Sequence, residues 1–355
     1  MPMPPAPERT FASDNAAPAH PDVIEEIRRA NHGHALAYGA DRWTADVERS
    51  FDEIFGRRVS TSLVVNGTGA NVLALATMLE PGAAVICTDW SHVATDEAAA
   101  PERILGTKLI AVPSESGRMH PDRIREQARN LGNIHHAQAG VVSITQATEW
   151  GTLYTIDEIG EICDVAHANG MSVHLDGARL ANAIAALGGS VDVLRAMVVD
   201  TGVDVVSFGG TKNGLLGAEA VVHLDPERAR RAAYLRKQVN QLASKMRFIA
   251  AQFAVALRDD NWIRWAAHAN ASAVALHGAT AALLGAAAPP PPAVNSVFPV
   301  LDPDVAGRLR EWSFFWPWDL ERSQYRWMTA WDTTAEDIDR FAAGLAHLLG
   351  ARQRN

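Results

Sequence analysis

The sequence predicts an α/β protein: a large domain built on a mostly parallel sheet, then a small α+β domain toward the C-terminal end. Two observations carry this expectation. Short β-branched or apolar runs alternate with helix-length stretches from about residue 60 to about residue 225, which is the pattern of strands joined by covering helices. After Asp225 the alternation stops, and a proline-rich connector separates long Ala-rich helices from a final group of short strands and one helix. The length of 355 residues agrees with about two domains at roughly 150 residues each.

In chain order, the first ten residues read as a disordered tail. Amphipathic helices are expected from about Asp22 to Gly33 and from about Thr44 to Phe55. The strand candidates are Leu63 to Val65, Ala84 to Cys87, Leu109 to Val112, Val141 to Thr145, Ser172 to Leu175, Val205 to Phe208 and Ala220 to Leu224. Between the fourth and fifth of these, Asp157 precedes a helix that stops near Asn169-Gly170. Pro226 to about Arg258 reads as helical and basic, and Trp262 to Leu284 as a further helix. Ala286 to Pro292, "AAAPPPP", fits neither a helix interior nor a central strand, because proline lacks the N–H that both require. Strands are expected at Val294 to Val300 and Tyr325 to Ala330, and a helix from about Thr334 to Leu349.

Apolar residues make up 48% and charged residues 21%, which excludes a mainly disordered chain. A net charge of −9 without a Lys/Arg run argues against nucleic acid or an anionic membrane as partner. The basic stretch Arg228 to Lys237 reads as a solvated helix face, with an interface role as the alternative. Two cysteines give neither a disulfide framework nor zinc spacing. No apolar run approaches the ~18 residues of a membrane span, and the opening residues lack the features of a signal peptide, so a soluble cytoplasmic protein is expected. The thirteen histidines include no H-E-x-x-H, and His135-His136 sits in a polar loop, so no metal site is expected.

Three segments carry chemistry. In "MSVHLDGAR" a strand ends on Asp176, with Arg179 three residues later. Ligands of open α/β sheets sit at the carboxyl ends of strands, although an acid there can also serve as a helix cap. In "VVSFGGTKNG" a strand runs into glycines and then Lys212. A surface lysine in a turn is the simpler reading. Paired with an acid at a neighbouring strand end, the lysine suits an imine with pyridoxal 5'-phosphate while the acid keeps the pyridine nitrogen protonated. In "VVNGTGANVLAL", Gly67, Thr68 and Gly69 open a helix and offer backbone N–H groups to a phosphate. Val72 stands where a dinucleotide fingerprint needs its third glycine.

The strings "SDN", "AYGADRWT", "NGTGAN", "HVATDE", "SITQATEWGTLY", "HLDGARLANA", "FGGTKNG", "QLASKMRF" and "MTAWDTT", in order from about Phe11 to about Leu349, resemble the low-specificity L-threonine aldolases. The branch includes phenylserine aldolase, within the aspartate-aminotransferase-like superfamily of pyridoxal phosphate enzymes. The resemblance implies a fold-type-I architecture with a seven-stranded-type sheet: a substrate-contacting N-terminal segment over 1–20, a cofactor-binding domain over 21–250 and a small domain over 251–355. It implies a lyase that cleaves L-β-hydroxy-α-amino acids to glycine and an aldehyde. Lys212 would hold the cofactor, Asp176 its ring nitrogen, Arg179 its phenolic oxygen, and Gly67, Thr68 and Gly69 its phosphate, helped by Arg247 of a neighbouring subunit. His92 would stack on the ring. Ser13, Arg179 and Arg326 would bind the substrate, with Tyr38 reaching in from the partner of a homo-oligomer, a dimer at minimum and a tetramer as the full assembly.

One departure bears on mechanism. Many relatives carry a second histidine in a segment ending "THNG", and the equivalent "TQATEWG", Thr145 to Gly151, has none. The base is then His92, acting directly or through water, with Glu149 as the alternative. Five of the ten tryptophans (Trp312, Trp316, Trp318, Trp327, Trp331) fall within twenty residues, read as core and subunit packing with a lid over an aromatic substrate as the alternative. Rival functions are β-elimination or transamination on the same cofactor, and a non-catalytic cofactor-binding protein.

Overall fold

The computed structural model describes residues 3–352. Ten strands fall in two sheets. The large sheet contains β1 (Ser60–Val64), β2 (Ala83–Thr88), β3 (Lys108–Val112), β4 (Gln138–Thr145), β5 (Ser172–Gly177), β6 (Val205–Gly209) and β7 (Glu219–His223) in the order β1-β7-β6-β5-β4-β2-β3. The pairs β2·β3, β2·β4, β4·β5 and β5·β6 are parallel, while β7 runs antiparallel to both β6 and β1. Only β7 is reversed, so the carboxyl ends of the other six strands share one edge, together with Glu219 at the start of β7. The α/β expectation holds.

Alternation along the strands sorts their side chains to two faces. Leu63, Val206 and Val222 join one apolar cluster, while Val64, Val205 and Val221 join another with Ala70, Leu73 and Ala74. These last three belong to helix α3 (Gly67–Met78), which follows helices α1 (Pro21–Ala30) and α2 (Arg42–Phe55). On the α3 face the fully buried His174 bridges β4 and β6. Its Nδ1 lies 2.9 Å from Ser143 Oγ and its Nε2 2.9 Å from Ser207 Oγ. Burial pushes its pKa down to about 4, so the ring is a neutral strut.

The second sheet is antiparallel, in the order β8 (Ser296–Val297), β10 (Gln324–Met328), β9 (Trp316–Asp319). It packs with the helices Pro303–Trp312 and Ala335–Arg352 around Phe315, Trp327, Phe341 and Leu345. The helix Asn261–Leu284 gives its first half (Trp262, Ile263, Ala266) to the large core and Ala273 and Leu276 to the small one.

Four expectations need correction. Residues 3–10 are not a loose tail: Glu8 and Arg9 donate backbone N–H bonds to Asp337 Oδ1, and Trp312 Nε1 donates to Pro4 O. Met1 and Pro2 lie outside the described residues. The basic stretch after Pro226 is not one helix. It is a 3₁₀ turn, a helix Ala232–Gln238 and a helix Arg247–Leu257, parted where Asn240 takes a positive φ. Of Val294 to Val300 only Ser296–Val297 pairs as strand, with Pro299 just beyond and unable to donate to a ladder. β9 was not foreseen, because a Trp-Pro-Trp run carries no strand periodicity; its proline is tolerated on an edge strand.

Candidate active site

Lys212 leaves the end of β6 in a short turn held from two sides. Gly210 N–H donates to Glu219 Oε2 at 2.7 Å and Asn213 Nδ2 to Trp262 O at 2.7 Å. Gly210 has no room for a side chain, since a Cβ would lie 2.5 Å from Ala218 O. The turn puts Lys212 on the wall of a cavity of about 340 Å³ shared with Asp176, His92, Asn71 and Thr68. Among the described residues the Lys212 Nζ makes no hydrogen bond or salt bridge. Glu219, buried on the same wall, has its pKa raised by burial.

Asp176, next to last in β5, lies on the α3 face. Its Oδ1 accepts Ala178 N–H at 3.0 Å and its Oδ2 accepts from Asn71 Nδ2 at 2.9 Å. The N-terminus of α3 closes the other end of the cavity, where Gly67 and Thr68 line it. Gly69 does something other than the sequence suggested. Its N–H is taken by Asn66 Oδ1 at 2.7 Å, the N-cap, and its Cα abuts the Gln241 amide, whose Cδ would lie 2.2 Å from an added Cβ. Gln241 is held there by accepting Val65 N–H at 3.0 Å.

His92 opens the short helix after β2, with its side chain 30% exposed and Nδ1 3.0 Å from Glu97 Oε1. That contact raises its pKa above the ordinary histidine value, against the opposing effect of burial.

Arg179 is clamped by Asp14: Nε donates to Oδ2 at 2.7 Å and Nη2 to Oδ1 at 3.0 Å, both partners buried. Burial works against both charges, but each outweighs it for the other: Asp14 is held down at about 2 and Arg179 above the ordinary arginine value. Arg326 lies over the Trp318 ring at 4.2 Å. Burial, then the Arg179 charge, lowers its pKa to about 10, and its Nε is buried without a partner. Glu149 Oε2 stands 3.9 Å from the Nη1 atoms of both arginines. The pair thus presents a cationic corner with an unmet donor, suited to a second carboxylate.

Six expected residues are not among those lining the cavity: Gly69, Arg179 and Arg326, placed above, and Ser13, Tyr38 and Arg247. Ser13 Oγ accepts Asn15 N–H as the cap of a 3₁₀ turn, and Asn15 lines the cavity instead. Tyr38, 53% exposed, and Arg247, bonded to Gly33 O, sit on the outer surface. The tryptophans divide: Trp327 is core, Trp312 anchors Pro4, Trp331 donates to Pro18 O, Trp316 is exposed, and Trp318 meets Trp90 and Trp150 beside Arg326. Asp14, Asn71, Glu97 and Glu219 were missed. The strings "SDN", "NGTGAN" and "HVATDE" contain three of them, but a buried role for a polar residue is not written in its neighbours.

A model of the beta-eliminating lyase family matches residues 10–303. The low specificity L-threonine aldolase of Pseudomonas aeruginosa is 40% identical over 344 residues, covering 96% of this chain and 98% of that protein. Among solved structures, the threonine aldolase of Leishmania major superposes with a TM-score of 0.87 at 27% identity, over 96% of this chain and 99% of the other. Aspartate aminotransferase from Thermus thermophilus shares the fold alone, with a TM-score of 0.66 at 16% identity, over 97% of this chain and 90% of that one.

Proposed function

The chain belongs to the beta-eliminating lyase family, and from that premise we propose that it is a carbon–carbon lyase. It cleaves L-β-hydroxy-α-amino acids, of the threonine, allo-threonine and phenylserine type, to glycine and an aldehyde. The observation that carries this reading is the convergence, on one cavity, of a lysine that makes no hydrogen bond or salt bridge among the described residues, a buried aspartate and the N-terminus of a helix.

Pyridoxal 5'-phosphate is the cofactor, and the residues present fit it. Lys212 is available for the imine, Asp176 for the ring nitrogen and His92 for the ring face, and the α3 N-terminus with Thr68 for the phosphate. When bound, pyridoxal phosphate supplies the electron sink that makes breaking a Cα–Cβ bond possible. The chain's residues do the rest. Asp176 holds a charge against the ring nitrogen. Arg326, with its unmet Nε donor, takes the substrate carboxylate and fixes the orientation of Cα. Arg179, already committed to Asp14 through two of its nitrogens, supports that corner and the phenolic oxygen through what remains. His92 removes the β-hydroxyl proton, a contribution typically of 10²–10⁴-fold.

We also read the working enzyme as a cytoplasmic homo-oligomer, a dimer at minimum and a tetramer in full. Tyr38 and Arg247 lie close together on the outer surface, where Tyr38 N–H donates to Ser244 O, and Leu36 and Tyr234 are exposed. A partner's copy of that surface could complete a neighbouring site. Among the described residues no single helix is long and apolar enough to cross a membrane.

A product assay tests the function. Cofactor-loaded protein is given L-threonine, L-allo-threonine and L-phenylserine, and glycine, the matching aldehyde and keto acid are measured. Equimolar glycine and aldehyde are expected; keto acid without glycine would move the protein to the eliminating lyases.

A further inference from the structure

Three side chains of the cavity wall and one behind it, Glu97, form an unbroken hydrogen-bonded chain. His92 Nδ1 lies 3.0 Å from Glu97 Oε1, and Asn71 Nδ2 donates to that same oxygen at 2.7 Å and to Asp176 Oδ2 at 2.9 Å. The parts come from the short helix after β2 and the bend that follows it, from α3 and from the end of β5. Glu97 and Asn71 are 4% and 3% exposed, whereas the His92 side chain keeps 30% of its surface open. An amide between two carboxylates must turn its NH₂ toward them, because the carbonyl would oppose an acceptor to an acceptor. Both Asn71 hydrogens are thereby used. A histidine held by a carboxylate at one ring nitrogen carries its proton there and leaves the other nitrogen as the reactive atom.

We propose that Glu97 is a positioning residue for the reaction, holding His92 with Nδ1–H turned inward and Nε2 free, and that Asn71 ties this carboxylate to Asp176. One chain then sets both the proton-moving group and the group that faces the ring nitrogen. The charged groups facing His92 are Glu97, Lys212, Asp176 and Glu149. The Glu97 contact is the largest influence and raises the His92 pKa. A base works when neutral, so activity should rise with pH through the His92 pKa, and loss of the Glu97 charge should move that rise to lower pH.

The activity arm of the test rests on the retro-aldol reading; a second arm does not. In the cofactor-loaded enzyme, Glu97→Gln is compared with the unsubstituted protein by peptide-resolved rates of His92 modification with diethyl pyrocarbonate, which reacts with neutral imidazole. The midpoint is expected to fall by about one pH unit, the scale of an adjacent opposite charge. In turnover, kcat should drop on the order of 10²-fold while KM changes less than about threefold. If Glu97 acts through His92, Glu97→Gln on a His92→Ala background should cost nothing further. An unmoved midpoint, an unchanged kcat, or a full additional loss in the double variant overturns the proposal. Should Glu97→Gln fail to fold, Glu97→Ala removes the same charge, and an unmoved midpoint there counts equally against it. If the unsubstituted enzyme releases no glycine, the retro-aldol reading falls while the modification midpoint still decides the role of Glu97.

Discussion

Two buried guanidinium groups facing one corner are costly unless anions meet them. Asp14 meets Arg179 through two bonds, while Glu149 stays 3.9 Å from both arginines and Arg326 keeps one donor unmet. In the proposed reaction the carboxylate of an amino-acid substrate would be the further anion at this corner. Lys212 is the other residue without a committed partner, and its chemistry is irreplaceable in the proposed reaction. Lys212→Ala is expected to abolish glycine release while the protein stays folded, since the side chain makes no hydrogen bond or salt bridge among the described residues. Substantial residual turnover in a folded Lys212→Ala protein would remove the lysine from the mechanism.

At the level of elements, the start of α3 depends on a segment 176 residues away from Val65. The break in the basic helical stretch after Pro226 brings Gln241 under Gly69, where it also accepts the Val65 N–H. A methyl group at position 69 would lie 2.2 Å from Gln241 Cδ, so either the amide or the helix must shift. Gly69→Ala is expected to cost about 1–3 kcal/mol, as overpacking does. Replacing Gln241 by Ala in that background should then give a protein no less stable than Gly69→Ala alone, although Gln241→Ala by itself destabilises by leaving Val65 N–H unpaired. Thermal melts of the three variants check this; strict additivity would mean that Gly69 and Gln241 do not share the space.

Across the whole molecule, Asp14 links the N-terminal segment to both sheets. It accepts from Arg179 beyond β5 and from Asn295 beside β8, at 3.2 Å for the latter. Breaking one member of a buried ion pair leaves the other charge uncompensated, so Asp14→Ala is expected to destabilise by about 3–5 kcal/mol at neutral pH. The folded-state pKa of Asp14 is about 2 against an ordinary 3.8. A depressed carboxylate pKa contributes stability that is present above 3.8 and lost as the pH falls through 2. Urea unfolding of the two proteins should therefore show the gap narrowing by about 2 kcal/mol as pH falls from about 5 to about 2. A constant gap would mean that the pair does not titrate as the structure implies.

The α/β class, the strands of the large sheet and the positions of Asp176 and Lys212 at strand ends were all legible in the chain itself. Alternating hydrophobicity is a local property, and glycine and proline mark the stops where they stand. What lay beyond reach was any feature whose cause is distant in sequence. The reversal of β7 is what places Glu219 beside Lys212. Closure of the N-terminal segment spends Asp14 on Arg179 and leaves Asn15, rather than Ser13, at the cavity. Asn71 and Glu97 look like ordinary polar residues until the packing of α3 on the sheet buries them between His92 and Asp176. Desolvation and pairing of charges depend on what surrounds a group in space, and only the folded chain supplies those surroundings.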